Sequence, residues 1–222
     1  QANMLLLEGA LPSQIDNAIE AFGLNMGPFR MMDLIGLDLG WRARKLAGVD
    51  SPLTNKIADT LCENERFGQK NSKGFYNYSE GSRAPNPAPE NEEIYFKISE
   101  ENGFTRREIS DEEIVDRCIL ALVNEGAKIL EEGVAQRASD MDIVYINGYG
   151  FPVWRGGPMF YANSLGLDKV LEKLKGFQEI DSDFWKPADL LEKLAKDELK
   201  FGEAPDINER KGKMKFPDIV GY

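Results

Sequence analysis

Met26-Gly27-Pro28-Phe29-Arg30-Met31-Met32-Asp33-Leu34-Ile35-Gly36-Leu37-Asp38 decides the reading of this chain, because its punctuation returns further along. Gly27-Pro28-Phe29 recurs as Gly157-Pro158-Met159, and Gly36-Leu37-Asp38 recurs as Gly166-Leu167-Asp168, in the same order and at the same spacing. Proline is tolerated at the first position of a helix, where its missing N–H has no partner to lose, so each Gly-Pro is expected to launch a helix. An earlier pair, Leu5-Leu6-Leu7-Glu8-Gly9-Ala10 and Ile129-Leu130-Glu131-Glu132-Gly133-Val134, adds a third match in order. Ordered matches of this kind predict an internal duplication. The two copies are expected to pack as a pseudo-twofold pair, as a homodimer would with its subunits fused.

Outward from these turns the pattern is helical. Ala2 to Glu8 reads as a helix stopped by Gly9, and Ser13 is placed to cap a second one carrying Ile15, Ala18, Ile19 and Phe22. Gly36 marks a bend before Asp38 restarts the chain, and Ser51-Pro52 opens a further helix with Leu53, Ile57, Leu61 and Cys62 at helical spacing. Phe67-Gly68-Gln69-Lys70 and Lys73-Gly74-Phe75-Tyr76 predict a loop leading into a short extended segment. In the second half, Ser110-Asp111-Glu112-Glu113 is a capping-box-like start for a long helix. Further helices are expected over residues 139–147, 158–165, 168–175 and 187–196. The fold class is therefore all-α, with two tandem, pseudo-twofold-related helical domains over 1–81 and 110–196. Residues 82–109 are expected to be a linker, and 197–222 an extended or disordered tail.

Composition removes several classes of function. The chain has no histidine, which excludes Ser-His-Asp and Cys-His mechanisms and imidazole-ligated zinc. A formal charge of −11 repels phosphate backbones, so no nucleic-acid partner is expected, and no apolar run is long enough for a membrane span. No metal site is predicted. Cys62 and Cys118 lie in apolar helical patterns and read as free thiols in a reducing compartment. Acidic runs such as Glu131-Glu132 and Asp111-Glu112-Glu113 read as solvated helix ends. Gly148-Tyr149-Gly150 is not expected to form a dinucleotide loop, because Pro152 and Val153 break the glycine fingerprint. The first residues already read as helix, so the start is expected to be a cut made upstream.

The stretch 26–38 closely resembles the C-terminal region of L-3-hydroxyacyl-CoA dehydrogenases. So do Arg66-Phe67-Gly68-Gln69-Lys70-Asn71-Ser72-Lys73-Gly74-Phe75-Tyr76, Gly148-Tyr149-Gly150-Phe151-Pro152 and Arg155-Gly156-Gly157-Pro158-Met159-Phe160-Tyr161. The paired copies resemble the β-oxidation enzymes that join enoyl-CoA hydratase to the dehydrogenase, and the likeness runs over most of residues 2–196. The family carries out NAD-dependent oxidation of 3-hydroxyacyl-CoA with a histidine-glutamate pair on a Rossmann domain and an assisting asparagine. The resemblance implies that all of these lie outside this chain, so no residue here is expected to be catalytic. Asn3 is not that asparagine. It also implies that Met26, Gly27, Pro28 and Phe29 bind substrate by lining the acyl cleft, although the same residues could serve only as a tight turn with core anchors. Lys70 and Lys73 could approach CoA phosphates. Trp154, Arg155 and Met159 are expected to pack rather than to act.

Two functions follow from this reading. In one, the chain closes the acyl-CoA cleft of a larger enzyme, with the NAD-binding Rossmann domain and the acyl-CoA substrate as its partners. In the other, it is a free-standing acyl-CoA-binding or dimerisation module. The family analogy implies a peroxisomal location, with a bacterial cytoplasmic or mitochondrial one as the alternative; Ile219-Val220-Gly221-Tyr222 is not a Ser-Lys-Leu address.

Overall fold

A computed structural model describes residues 1–203. They form two compact units that divide within one helix, after Arg117. The first contains α1 (Ala2–Glu8), α2 (Pro12–Phe22), α3 (Pro28–Ile35), α4 (Asp38–Ala47), α5 (Lys56–Glu63) and α6 (Glu92–Glu101). It also holds a two-residue antiparallel pair, β1 (Asn77–Tyr78) with β2 (Pro85–Asn86), in which Asn77 faces Asn86 and Tyr78 faces Pro85. Helix α7 (Asp111–Glu131) begins in the first unit and continues into the second, which holds α8 (Ala138–Gly148), α9 (Pro158–Leu165), α10 (Leu167–Phe177) and α11 (Asp189–Lys196). No helix among the described residues is long and apolar enough to cross a membrane.

Each unit buries its own core. In the first, Leu5, Leu6, Ile15, Phe29, Leu61, Phe75 and Tyr95 are closed to solvent. In the second, Leu120, Val123, Leu130, Met159, Val170, Leu174, Trp185, Leu191 and Leu194 form one cluster. Both cores follow the apolar stripes of their helices, whose burial supplies most of the stability of short helices.

The two copies repeat their backbone devices. Gly36 and Gly166 end α3 and α9 at φ 103°, ψ 119° and φ 94°, ψ 124°, a region closed to side-chain-bearing residues. Their N–H groups donate to Met32 O (2.9 Å) and Ala162 O (3.1 Å). The glycine stops of α1 and α7 match too: Ala10 N donates to Leu5 O (3.0 Å) and Val134 N to Ile129 O (3.1 Å). Satisfying a late carbonyl from just beyond the glycine is the usual way such helices close.

Several boundaries differ from expectation. Residues 82–109 are not a bare linker, since Tyr95, Ile98 and Ser99 of α6 are buried. Ser99 Oγ donates to Leu7 O (2.8 Å), Arg106 to Leu6 O (2.7 Å) and Gly9 O (3.0 Å), and Arg107 N to Glu8 O (2.8 Å). These groups satisfy the otherwise orphaned carbonyls at the end of α1. Helix α2 starts at Pro12 with no side-chain cap, so Ser13 does not play the part expected of it. Ser110 does cap α7, its Oγ accepting from Glu113 N at 3.1 Å. In the predicted tail, Phe201 is buried and its N–H donates to Asn163 Oδ1 (3.0 Å). The rest of that prediction, 204–222, lies outside the described residues.

Candidate functional site

The first Gly-Pro turn is held from below by a carboxylate. Asp16, on α2, is fully buried and accepts from Phe29 N (2.9 Å), Arg30 N (3.0 Å) and Tyr76 Oη (2.7 Å). It thereby caps the start of α3 from a neighbouring helix, taking two of the N–H groups that a helix start leaves without partners. Gly27 N donates to Glu20 Oε1 (2.9 Å), and Arg30 pairs with Glu20 Oε2 (2.5 Å). A side chain at position 27 would place its Cβ 2.4 Å from Asp16 Cα, Cβ and Cγ. The glycine is thus required by the close approach of Asp16. Burial raises the Asp16 carboxyl above its ordinary range, against the hydrogen bonds from Tyr76, Phe29 and Arg30.

A second buried carboxylate fastens the loop beyond α5. Asp33 on α3 accepts from Phe75 N (2.9 Å), Tyr76 N (3.0 Å) and Tyr78 Oη (2.9 Å). Two glycines admit it: a Cβ at Gly74 would lie 2.0 Å from Asp33 Oδ1, and one at Gly68, where φ is +104°, 2.3 Å from Asp33 O. The Gly-rich motifs of 66–76 are therefore explained by the docking of this loop on α3. The second copy keeps part of the arrangement. Asp142 on α8 accepts from Met159 N (2.8 Å) and Phe160 N (3.2 Å), and a Cβ at Gly157, where φ is +95°, would stand 2.4 Å from Asp142 Cβ. Asn163 holds Phe201 N in the way that Asp33 holds Phe75 N.

Desolvation raises the Asp33 carboxyl from 3.8 to about 6, outweighing its three donors and Arg66. A carboxyl whose folded value lies above its unfolded one favours the fold when protonated. That stabilisation is complete below the unfolded value and is lost as pH rises through about 6. The displacement corresponds to about 3 kcal/mol. Urea unfolding between about pH 4 and 7 should show stability falling with pH, and Asp33→Asn should flatten that slope. An unchanged slope in the variant would place the pH dependence on other groups.

Among the expected substrate-binding residues, Met26 and Pro28 are half-buried and Gly27 is buried. Phe29 is 0% exposed, with its ring centroid 4.6 Å from that of Phe75. Its ring supports the turn from within the core and presents no open wall to a ligand. Lys70 forms an ion pair with Asp38, which holds the Asp38 carboxyl below its usual range, while Lys73 is exposed. Met159 packs in the core, whereas Trp154 is 72% exposed under the Arg155 guanidinium, 4.1 Å from its ring. Gly148 is the last residue of helix α8 and Tyr149-Gly150 run on from it, with no strand leading into them, so these residues do not fit a nucleotide-binding loop. No cluster of potential metal ligands occurs among the described residues. Burial pushes the Cys62 thiol up to about 12, which leaves it unreactive as a nucleophile.

The three carboxylates were not singled out from the sequence. The one local signal was an acidic residue set among apolar positions of a helix, as Asp16 is beside Ile15 and Asp33 beside Met32 and Leu34.

A family model described as 3-hydroxyacyl-CoA dehydrogenase, C-terminal domain, matches residues 1–78 and 114–205. The peroxisomal bifunctional enzymes of Danio rerio and Homo sapiens are 43% and 42% identical to the chain over 211 and 212 residues, 87% and 88% of its length. The fatty acid oxidation complex subunit alpha of Shewanella frigidimarina is 33% identical over 206 residues, 90% of the chain. The chain spans about 29% of the length of the two bifunctional enzymes. Among solved structures, the dehydrogenase part of multifunctional enzyme 1 from C. elegans superposes with a TM-score of 0.68 at 30% identity, covering 86% of this chain and 44% of that one. The fold is also that of 3-hydroxybutyryl-CoA dehydrogenase from Escherichia coli, with a TM-score of 0.60 at 19% identity, over 85% of this chain and 55% of that one. With both Gly-Pro turns falling inside the matched segments, the chain belongs to the 3-hydroxyacyl-CoA dehydrogenase C-terminal domain family, in two tandem helical copies.

Proposed function

We propose that this chain is the helical C-terminal part of a fatty-acid β-oxidation enzyme that oxidises 3-hydroxyacyl-CoA to 3-ketoacyl-CoA with NAD. We infer that the parent also carries enoyl-CoA hydratase, like the bifunctional relatives. The observation that carries the reading is the Asp16-tethered Gly27-Pro28 turn, lying within a segment matched by the dehydrogenase C-terminal model. In this role the turn closes the acyl-CoA cleft, and the chain packs against an NAD-binding Rossmann domain of the same parent. Redox groups and NAD then belong to that domain, and no catalytic step is assigned to residues here. Met26 is the side chain suited to meet an acyl group, since a half-buried thioether is apolar and adapts its shape. The turn beneath it is rigid, because Asp16 fixes two successive N–H groups. Analogy with the peroxisomal bifunctional enzymes of Danio rerio and Homo sapiens supports a peroxisomal placement, and the relative from Shewanella frigidimarina supports a bacterial cytoplasmic one as the alternative.

Met26→Asp in the full-length parent is expected to raise KM for long-chain 3-hydroxyacyl-CoA by at least about tenfold, the equivalent of ~1.4 kcal/mol, because a carboxylate must be desolvated against the chain. An unchanged KM would remove Met26 from the cleft. The isolated chain should form no NADH from the same substrate, and turnover there would assign the redox chemistry to this chain instead.

A further inference from the structure

The second copy contains an apolar cavity that the first turn's role does not use. It measures about 280 Å³ and opens between α7, α8 and the start of α9. That is nearly twice the ~150 Å³ of an apolar cavity known to admit benzene. Its inner wall is formed by Leu122, Ile129, Met141 and Met159, of which Met159 is fully buried and Met141 is 9% exposed. Gly126 helps to keep the space open, since a Cβ there would meet Met159 Sδ at 2.7 Å and force the thioether aside.

The polar groups of the cavity are distributed in a way that selects a ligand. Tyr145 and Tyr149, with ring centroids 5.2 Å apart, stand in the wall with exposed Glu125 and Asp140, and no lysine or arginine lines the cavity. An anionic group would therefore meet two carboxylates and no compensating cation. A hydrocarbon chain asks for none of these groups, and two flexible methionines can fit themselves along it. The cavity also sits at the duplicated turn. Pro158 and Met159, which line it, are the counterparts of Pro28 and Phe29. In the first copy a phenylalanine ring packs inward on Phe75, whereas in the second a fully buried, unbranched methionine forms part of the cavity lining.

We propose that this cavity binds an uncharged, medium-length aliphatic chain and disfavours one that carries an anionic head. The site is independent of the Met26 turn and of its proposed part in the dehydrogenase. The test is a titration of the full-length protein, labelled at its methionine methyl carbons, followed by NMR with n-octanol and with octanoate as probes. Saturable shifts of the Met141 and Met159 methyls are expected with octanol, and octanoate should bind at least about tenfold more weakly. Val144→Trp alters a rim position that is 54% exposed, so the fold should survive while octanol binding weakens by at least about tenfold. The proposal is overturned if the Met141 and Met159 shifts do not saturate, if Val144→Trp leaves them unchanged, or if octanoate binds as tightly as octanol. Movement of the Met26 methyl alone would likewise overturn it, while leaving the reading of the first turn intact.

Discussion

Arg117→Ala is expected to destabilise the first unit by about 3–5 kcal/mol. The Arg117 side chain is 1% exposed, and its two terminal nitrogens each donate to one oxygen of Glu8 at 2.6 Å, a bidentate pair between α7 and α1. Gln1 Oε1 and Glu113 Oε1 take further guanidinium N–H groups at 3.0 and 3.3 Å. Removing the arginine leaves the buried Glu8 carboxylate with Arg107, which approaches at 3.3 Å and is 43% exposed. A desolvated charge without its main partner is the expensive outcome, whereas removing both charges is not. Arg117→Lys should therefore fail to rescue, because an ammonium cannot reproduce the planar fork. The double replacement Arg117→Met with Glu8→Leu should recover most of the loss. Urea unfolding of the wild type, Arg117→Met, Glu8→Leu and the double variant gives the coupling energy, and a loss below about 1 kcal/mol for Arg117→Ala would mean that water solvates Glu8 despite its burial.

Trp185→Ala should cost the second unit a similar amount, about 3–5 kcal/mol. Trp185 is fully buried between Phe177 and Phe184, with ring centroids 4.8 and 5.0 Å away. It sits in the same core cluster as Leu174, Leu191 and Leu194 of α10 and α11, so its loss opens a void that short helices on either side can only partly close. The indole N–H finds no hydrogen-bond acceptor among the described residues. Trp185→Phe should consequently be much milder, under about 2 kcal/mol, since it keeps most of the volume and removes an unsatisfied donor. Equal losses for the two variants, measured by circular dichroism through a urea transition, would show that the indole nitrogen rather than the ring volume carries the stability.

The helices and their duplication were legible because their signals are local. Gly-Pro starts α3 and α9, and Gly36 and Gly166 end them in one shared backbone conformation, as the matching residues predicted. The missing histidine means that no mechanism can draw an imidazole from this stretch of chain, a point read from composition alone. The stretch 82–109 differs from the expected linker because its prolines, Pro85, Pro87 and Pro89, lie at one end, while Tyr95 and Ile98 give the other end a face that α1 buries. The acyl-facing assignment of Phe29 met the same difficulty: an apolar residue after Gly-Pro reads alike whether it meets a ligand or the core.

What the chain determined by itself is where its backbone turns and which residues repeat, because glycine, proline and helical periodicity act over a few neighbouring residues. Which of its 38 acidic residues are structural was decided only by the tertiary fold. Asp16 finds its backbone donors 13 and 14 residues away, Asp33 at 42 and 43, and Asp142 at 17 and 18. A carboxylate's burial depends on groups that arrive from other helices, and no local pattern distinguishes it from one left in water.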